Sequence, residues 1–496
     1  MTNRSQPSAT PANRPVETYQ IVGRILGPAI FALMLVADQW QVVMSAEAWR
    51  VAAVGLWMAI WWATEAIPVP VTAFLPIIIF EPLGISSIRD AAAPYANPII
   101  YLFLGGFMLA LAIERWDLHR RIALAILDRT GTDGRRLIGG FMLVCAMLSM
   151  WMTNTSTTMM LLPIVLSVIS VIRENVPELS EQEQHDFQIS MLLGLAYSAS
   201  IGGLATLIGT PPNALLVGFM AENHGIEISF ARWMVVGIPV SAVMLPIAWI
   251  ALTKFLFPVN IPASDVVSDH LHELREEIGA MTTPERRVAV VFATVIFCWM
   301  LRRPLTDLLG ISGVSDAGIV MTAALLLFVL PSGDAAQPRL MVWEDAGRLP
   351  WGVLILFGGG LSLAAAVSDS GLALWLGESL SPLNAWGTTV LLVAAVAMVI
   401  FLTELTSNLA TTATLLPVIG AIAIQAGVPP IVLTVPITIA ASCAFMLPVA
   451  TPPNAIVFAT GRLSIPEMAR AGILLNIIGI IIVSLAALNL APVLLM

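Results

Sequence analysis

Long apolar segments that are almost free of charge constrain this chain more than any other feature. A helix of about 20 apolar residues crosses a bilayer, and only 11% of the 496 residues are charged, against about 25% in a soluble domain. The sequence therefore predicts an all-α polytopic membrane protein. An outer-membrane β-barrel is disfavoured, because its sequence shows short segments of alternating hydrophobicity and not long apolar runs. The clearest segments are residues 20–38, 49–66, 70–86, 97–114, 232–257, 287–302, 315–331, 351–368 and 470–494.

Three further apolar regions are too long for one span and are broken inside. They are residues 137–172, 187–221 and 387–461, and the last divides near Gly427-Val428-Pro429-Pro430. We expect residues 137–172 and 387–425 to be re-entrant hairpins that enter and leave on the same side. With two interrupted helices beside them, about 11 transmembrane helices remain.

Arginine placement predicts the orientation, because cytoplasmic loops carry an excess of positive charge. Arginines crowd residues 4–24, 115–136 and 260–287, whereas none occurs between Pro350 and Gly461. The pattern predicts an inner (plasma) membrane protein with a cytoplasmic N-terminus and an outside C-terminus. We divide the chain into a disordered cytoplasmic tail (1–19), a first half (20–257), a cytoplasmic linker (258–286) and a second half (287–496).

Several function classes are disfavoured by what the sequence lacks. No Gly-Lys dipeptide is present, so there is no phosphate-binding loop of the Walker type. A pI near 5.1 without a basic patch argues against nucleic acid as a partner. A membrane enzyme would need a catalytic set, but Glu404 is the only acid found at membrane depth, and no histidine or cysteine cluster accompanies it. A channel, which would conduct without saturating, is the other alternative class.

An internal repeat carries the informative residues. The pattern N-x-x-T-T-x-x-L-L-P begins at Asn154 and again at Asn408, 254 residues later. Gly105-Gly106 matches Gly358-Gly359, and Thr-Pro-Pro-Asn-Ala occurs at 210–214 and at 451–455. Three matched blocks in one order indicate that each half holds the same unit. Because the arginines place the first hairpin inside and the second outside, the repeat is inverted, as in many secondary transporters.

Thr-Pro-Pro-Asn within an apolar span must interrupt the helix, since each proline removes an N–H donor and restricts the residue before it. Such a break is tolerated only where protein or a water-filled cavity covers it. Helix N-termini then suit an anion, and freed carbonyls, hydroxyls and asparagine oxygens suit sodium. A simple kink is the alternative for one copy, but two copies that each follow an Asn-x-x-Thr-Thr block favour a site.

The polar residues inside the hairpins have structural alternatives of their own. Asn154 and Asn408 could bond neighbouring helices, but each lies among small hydroxyl side chains, which favours a binding site. The threonine pairs 157–158 and 411–412 could serve the site or helix packing. Glu404 could be a proton or cation site, or it could accept hydrogen bonds from the hairpin backbone.

At these blocks the chain resembles the divalent anion:sodium symporter family, whose members carry succinate, citrate and sulfate. The resemblance spans roughly residues 20–494. It rests on four stretches: Ser149-Met150-Trp151-Met152-Thr153-Asn154-Thr155, Gly209-Thr210-Pro211-Pro212-Asn213, Thr403-Glu404-Leu405-Thr406-Ser407-Asn408 and Ala450-Thr451-Pro452-Pro453-Asn454.

The resemblance implies a homodimer in which a transport domain bearing both hairpins slides against a fixed scaffold, an elevator motion. It also implies two sodium sites, formed by Ser149, Thr153, Asn154 and Gly209 and by Thr403, Thr406, Asn408 and Ala450. The substrate would contact Thr153, Asn154, Thr155, Thr210, Ser407, Asn408, Thr451 and Pro452.

Two positions depart from the family signatures. Thr153 replaces a serine and keeps the hydroxyl, whereas Leu409 replaces a threonine and removes one. The second change bears on which anion is preferred.

The resulting expectation is a sodium-coupled symporter of C4-dicarboxylates such as succinate, malate and fumarate. A dicarboxylate exchanger or a sulfate or citrate carrier is the alternative. No arginine lies in either motif, so a dianion would be held by amides, hydroxyls, helix dipoles and bound cations. Cation binding would then help to build the anion site, which couples the two, because burying a bare dianion is very costly.

Overall fold

The computed structural model describes residues 18–175, 179–310, 312–379 and 387–490, without the side chain of Leu309. The tail predicted to be disordered, residues 1–19, lies outside these ranges except for its last two residues, which begin the first helix. In the described part, helices and turns account for the fold, and the single β-bridge joins Pro331 to Arg339.

The helices up to residue 257 are α1 (Thr18–Ala37), α2 (Ala46–Thr64), α3 (Val69–Thr72), α4 (Leu75–Ile79), α5 (Ile88–Ala92), α6 (Pro98–Arg115), α7 (Leu118–Thr130), α8 (Gly134–Ser149), α9 (Asn154–Asn175), α10 (Glu181–Gly203), α11 (Pro211–His224) and α12 (Phe230–Ile250). A 3₁₀ turn, Ala93–Ala96, precedes α6, and a π-helix, Ala251–Leu256, continues α12.

The remaining helices are α13 (Asp265–Ile278), α14 (Thr283–Met300), α15 (Arg302–Leu309), α16 (Asp316–Val329), α17 (Trp351–Asp369), α18 (Leu372–Ser379), α19 (Thr388–Thr403), α20 (Asn408–Gln425), α21 (Ile431–Ala441), α22 (Pro452–Phe458) and α23 (Ile465–Asn489). A 3₁₀ helix, Trp343–Arg348, precedes α17. Helix α13 lies within the stretch read from the sequence as a linker.

Seven of the described helices are long and apolar enough to cross a membrane, and an eighth span is possible if α14 and α15, bent by 75°, are counted together. The prediction of about 11 transmembrane helices exceeds this number because several predicted spans fold as shorter apolar helices, such as α16 and α21. The polytopic, all-α class is confirmed.

Both predicted interrupted helices are present. Helix α10 stops at Gly203 and the chain resumes as α11 at Pro211; α21 stops at Ala441 and resumes as α22 at Pro452. The residue before each proline is an extended threonine, with φ −142° at both Thr210 and Thr451. Proline is favoured at the first helical position because that N–H has no partner within the helix, so the same motif ends one segment and starts the next.

Both hairpins turn at equivalent positions of the repeat. Helices α8 and α9 are joined by residues 150–153, and α19 and α20 by residues 404–407. The two asparagines that open the motif, Asn154 and Asn408, are the first residues of α9 and α20. Each hairpin tip therefore presents a helix N-terminus together with an asparagine side chain.

The helices α6 and α17, which precede the hairpins, each end in a sharp joint to a shorter helix. Asp117 precedes α7 with φ +52°, and Gly371 precedes α18 with φ +78°. The two residues lie 254 residues apart, at the same position of the repeat. Glycine adopts this left-handed conformation without strain, and aspartate is among the few other residues that tolerate it.

Glu404 follows α19 at the turn of the second hairpin and is 3% exposed. Its Oε1 accepts from the amide N–H of Phe445 at 2.8 Å and from Asn476 Nδ2 at 2.7 Å, and its Oε2 accepts from the amide N–H of Leu447 at 3.0 Å. Met446 N–H lies within 3.1 Å of both oxygens. The structure supports a structural role for this acid, but the backbone that it accepts from is the loop of the interrupted helix between α21 and α22 and not that of the hairpin.

Candidate functional site

A cavity of about 850 Å³ separates the two hairpin tips from α2, α3, α6 and α17. All eight residues predicted to contact the substrate line it: Thr153, Asn154, Thr155, Thr210, Ser407, Asn408, Thr451 and Pro452. Both hairpins and both interrupted helices thus contribute to one space. The structure brings the predicted substrate residues together, and their individual roles remain predictions.

The predicted sodium residues divide into two groups, one behind each hairpin tip. Gly209 and Ala450 line the cavity together with the two asparagines, whereas Ser149 and Thr403 lie one layer deeper and are fully buried. Each buried hydroxyl is at the last turn of the helix that enters its hairpin tip. The cavity therefore reaches the outer residues of each group, and the two buried hydroxyls lie behind its wall.

At the first hairpin, four polar groups converge behind the tip. The side-chain amide of Asn154 approaches Ser149 Oγ at 2.6 Å, Ala199 O at 3.0 Å and Gly209 O at 3.3 Å through one terminal atom. The two carbonyls are pure acceptors. The serine hydroxyl has a single hydrogen to donate, and its oxygen also lies 2.7 Å from Ala199 O. With the nitrogen turned inward the amide donates to these oxygens. With the oxygen turned inward, a cluster of oxygens remains that a hard cation would satisfy.

The second hairpin repeats the contacts of the buried hydroxyl. Thr403 Oγ1 lies 2.8 Å from Asn408 Oδ1 and donates to Ala441 O at 2.9 Å. Thr403 and Asn408 occupy the positions of Ser149 and Asn154 in the repeat. Ala450, the position matching Gly209, is 4% exposed. The same hydroxyl, amide and carbonyl geometry therefore occurs twice.

Two predicted sodium residues use their hydroxyls elsewhere in this structure. Thr153 Oγ1 caps α9 by accepting from Ser156 N–H at 3.2 Å. Thr406 Oγ1 donates to Leu402 O at 3.0 Å and lies 2.6 Å from Thr411 Oγ1, and it does not line the cavity. Thr406 is thus the one predicted ligand that points away from the oxygen cluster of its hairpin.

Close packing of glycines holds the first cluster together. A Cβ on Gly203 would lie 2.6 Å from Asn154 Oδ1, and a Cβ on Gly209 would lie 2.4 Å from Gly203 O. Both distances are too short for a side chain, so the two glycines let the interrupted helix approach the hairpin tip. The chain can then place carbonyl oxygens beside Asn154.

The asparagines of the two Thr-Pro-Pro-Asn motifs fix the interrupted loops. Asn213 Nδ2 donates to Thr206 O at 2.8 Å, and Asn454 Nδ2 donates to Leu447 O at 3.0 Å. Both side chains are fully buried, and their Oδ1 atoms have no hydrogen-bond partner among the described residues. They act by holding loop carbonyls in position.

Of the two roles that the sequence left open for the threonine pairs, the structure shows packing for the second threonine of each pair. Thr158 and Thr412 donate to the carbonyls of Asn154 and Asn408, each at 2.8 Å. These hydroxyls are occupied within their own helices, which is the packing role. Thr411 instead contacts the hydroxyl of Thr406.

Sequence reasoning missed the carbonyl oxygens of Ala199 and Ala441. Each lies within 3 Å of the hydroxyl of Ser149 or Thr403. Any residue type supplies a backbone carbonyl, so no side chain marked these positions. The one available signal was their location in the last turn or two of α10 and α21, where each helix is interrupted.

The cavity is nearly free of charge except at its exposed edge. Among the described lining residues, the charged ones are Glu65, Glu114 and Arg348, and none belongs to a hairpin tip. An anion at the tips would meet the N-termini of α9 and α20, whose first N–H groups lack partners within the helix. Hydroxyls and amides complete a lining that can hold carboxylates without a basic side chain.

Three comparisons with known proteins agree in sequence and in fold. The family model described as "Sodium:sulfate symporter transmembrane region" matches residues 19–496. A sodium-dependent dicarboxylate transporter, SdcS, of Staphylococcus saprophyticus is 41% identical over 483 residues, covering 97% of this chain and 93% of that protein. An SdcS protein of Staphylococcus aureus is also 41% identical and covers 98% of this chain and 94% of its own length.

Two solved structures share the fold at low sequence identity. The Alcanivorax borkumensis transporter YdaH, described as having an unusual topology, aligns with a TM-score of 0.55 at 13% identity over 95% of this chain and 98% of its own. The Neisseria gonorrhoeae protein MtrF aligns with a TM-score of 0.51 at 14% identity over 81% and 83%. At such identity these two comparisons speak to architecture alone.

Proposed function

We propose that this chain, which belongs to the sodium:sulfate symporter family, carries C4-dicarboxylates such as succinate, malate or fumarate together with sodium ions. It is a membrane transporter rather than an enzyme, as are its named relatives. Those relatives are described as sodium-dependent dicarboxylate transporters, which supports both the cation and the substrate class.

The observation that carries the proposal is the pair of matched oxygen clusters behind one cavity. Asn154 and Asn408 both line the cavity, and each amide meets a buried hydroxyl on its inner side, that of Ser149 or Thr403. Each hydroxyl also reaches a backbone carbonyl, that of Ala199 or Ala441. A sodium ion in either cluster would attract the amide oxygen and so turn the amide N–H groups toward the cavity. The bound cations would thereby orient donors for the substrate carboxylates and offset their charge.

The coupling follows from this shared use of the asparagines. Without sodium, nothing holds the amide oxygen inward except one hydroxyl, and a dianion would meet little positive charge in the cavity. With sodium bound, the same site gains both fixed donors and nearby positive charge. Each ligand then strengthens the other's binding by the same free energy.

The movement that carries the site across the membrane is proposed to be an elevator motion within a homodimer. The transport domain would contain both hairpins with α10, α11, α21 and α22. The joints at Asp117 and Gly371 precede the short helices α7 and α18, which would link that domain to the scaffold. We place the protein in the plasma membrane with its N-terminus in the cytoplasm and its C-terminus outside.

The proposal is tested by reconstituting the purified protein in proteoliposomes and measuring uptake of radiolabelled succinate. An inward sodium gradient should drive accumulation, and replacing sodium by choline should remove it. Uptake of equal rate without sodium would refute the coupling.

A sulfate or citrate carrier, or a dicarboxylate exchanger, is the second candidate, since the family description names sulfate. Counterflow separates these activities. Liposomes loaded with unlabelled succinate, citrate or sulfate are diluted into labelled succinate, and only a transported anion on the inside should accelerate uptake.

Leu409 is expected to determine part of the preference among dianions. It lines the cavity beside Asn408, where the first hairpin has Thr155, and it is 6% exposed. Leu409→Thr adds a donor and removes volume. One added hydrogen bond is worth about 0.5–1.5 kcal/mol, a factor of roughly 2–10 in affinity. We expect a changed rank order in competition by succinate, malate, fumarate, citrate and sulfate, with unchanged sodium dependence.

The converse variant is the control for Leu409. Thr155→Leu removes the remaining hydroxyl and crowds the cavity from the first hairpin, so it should lower uptake of all dianions. If Leu409→Thr leaves the rank order as it was, this side chain does not contact the anion.

A further inference from the structure

We propose that Arg348 is a docking point for a substrate carboxylate at the exposed edge of the cavity, an inference that rests on the proposed function. Arg348 ends the 3₁₀ helix that precedes α17, and it is the one basic side chain among the described residues that line the cavity. Its side chain is 54% exposed. The planar guanidinium matches a carboxylate better than any other side chain.

Arg348 keeps donors available for a second acid. In this structure its Nη2 donates to Glu114 Oε1 near the end of α6. A guanidinium carries five N–H donors, and Nε and Nη1 donate to no residue in the part of the chain that the structure describes. Arg348 can therefore hold Glu114 and still offer N–H groups to an anion in the cavity.

The position of Arg348 is fixed by a neighbouring ion pair. Arg115 forms a salt bridge with Asp345 of the same 3₁₀ helix, and only 16% and 18% of these two side chains are exposed. Arg115 follows Glu114 directly, but it does not line the cavity. Two consecutive residues of α6 thus contact the 3₁₀ helix, and the buried pair holds the exposed pair at the cavity edge.

The charges at this edge explain why a dianion would need Arg348. The other charged residues there are Glu65 and Glu114, which favour sodium and repel a dicarboxylate. Arg348 offsets one of them and supplies the attraction that the hairpin tips, which have no basic residue, do not. Glu114 stays paired with the guanidinium and offsets part of its charge, so the anion is captured without being retained.

The arginine distribution places this edge on the cytoplasmic side, so the proposal predicts an effect at one face only. We would measure succinate uptake by whole cells and by inverted membrane vesicles. In inverted vesicles, Arg348→Gln should raise the half-saturating succinate concentration about three- to fivefold, as expected for a half-exposed charge pair. Glu114→Gln should lower it, because the guanidinium is released. Neither variant should change half-saturation in whole cells.

Arg275→Gln is the matched control. Arg275 pairs with Asp128 at a similar exposure, 48% and 40%, away from the cavity. The proposal is overturned if the half-saturating succinate concentration also rises threefold in Arg275→Gln. It is overturned as well if Arg348→Gln raises this concentration equally at both faces, or if neither Arg348→Gln nor Glu114→Gln changes it. Wild-type vesicles that lack sodium-dependent succinate uptake would instead refute the proposed function and this inference with it. If Arg348→Gln folds poorly, the proposal is tested by Glu114→Gln alone, through the predicted decrease in its half-saturating succinate concentration.

Discussion

Replacing Asn154 or Asn408 with alanine is expected to abolish transport and leave the protein folded. Each amide contacts a buried hydroxyl on one side and borders the cavity on the other. Alanine supplies neither an oxygen for a cation nor an N–H for a carboxylate. Loss of one hydrogen bond to a charged group costs about 1.5–3 kcal/mol, and two such roles are lost together. Succinate uptake should therefore fall about 100-fold or more.

The measurement is sodium-driven uptake in proteoliposomes, with gel filtration to establish that each variant still runs as a single folded species. Asn175→Ala is the matched control, because Asn175 lies at the opposite end of α9 and, among the described residues, its exposed amide donates to Val171 O alone. Near-normal uptake by either Asn154→Ala or Asn408→Ala would leave the two-cluster account without support.

Replacing Glu404 with alanine is expected to unfold or strongly destabilise the second half of the site. Its carboxylate accepts from three consecutive amides, Phe445 to Leu447, and from Asn476. Removing it leaves these buried donors without an acceptor, at about 1–3 kcal/mol each. We expect a loss of about 3–5 kcal/mol in the free energy of unfolding, within the range of severe single substitutions.

Thermal unfolding in detergent measures this effect. Glu404→Gln keeps one acceptor oxygen and should lose less stability than Glu404→Ala, whereas Glu47→Ala, on an exposed position of α2, should change little. The structural role predicts that the Glu404→Gln protein that does fold remains dependent on sodium. A stable Glu404→Ala protein whose only defect is altered sodium dependence would show that this acid is a cation ligand instead.

The two halves of the site are not equivalent at this acid. The position of Glu404 is occupied by Met150 in the first repeat, where Thr206 Oγ1 donates to the carbonyl of residue 150. In the first repeat, a contact to a neutral carbonyl thus stands where the second repeat has a carboxylate that accepts from four donor groups. The carboxylate therefore supports the interrupted helix of the second half, and the first half has no acid at this position.

Most of the site was predictable because its chemistry depends on side chains that are rare inside a membrane. Paired asparagines, hydroxyls and Pro-Pro-Asn motifs mark both hairpin tips and both interruptions, and the structure gathers them around one cavity. The repeat also supplied the correspondence between Ser149 and Thr403. What these patterns encode is residue type at a defined position.

The parts that escaped prediction depend on backbone or on distant contacts. The carbonyls of Ala199 and Ala441 carry no residue signal, and the direction of the Thr406 hydroxyl is decided by Thr411, one turn into α20. Arg348 was not among the residues predicted to contact the substrate, because it belongs to neither repeated motif. Its place at the cavity edge follows from the packing of α6 against the 3₁₀ helix. This packing brings Arg348 to Glu114, although more than 200 residues separate the two in the sequence.

The helix α13 adds what the prediction of a linker did not specify. Within residues 258–286, Asp265–Ile278 forms a helix that buries Val267 and Leu271. The two residues are four apart and share one face. This helix contacts α7 and α9, so the connection between the halves is packed against the first repeat.

The central claim is that bound sodium builds the anion site, and its most direct test is the reciprocity of binding. Isothermal titration of the purified protein with succinate, across a series of sodium concentrations at constant ionic strength, gives the succinate affinity. Titration with sodium at fixed succinate gives the converse. The account predicts negligible succinate binding in choline, and in sodium an affinity gain that equals the gain of sodium affinity with succinate. Succinate binding of the same strength with and without sodium would contradict it.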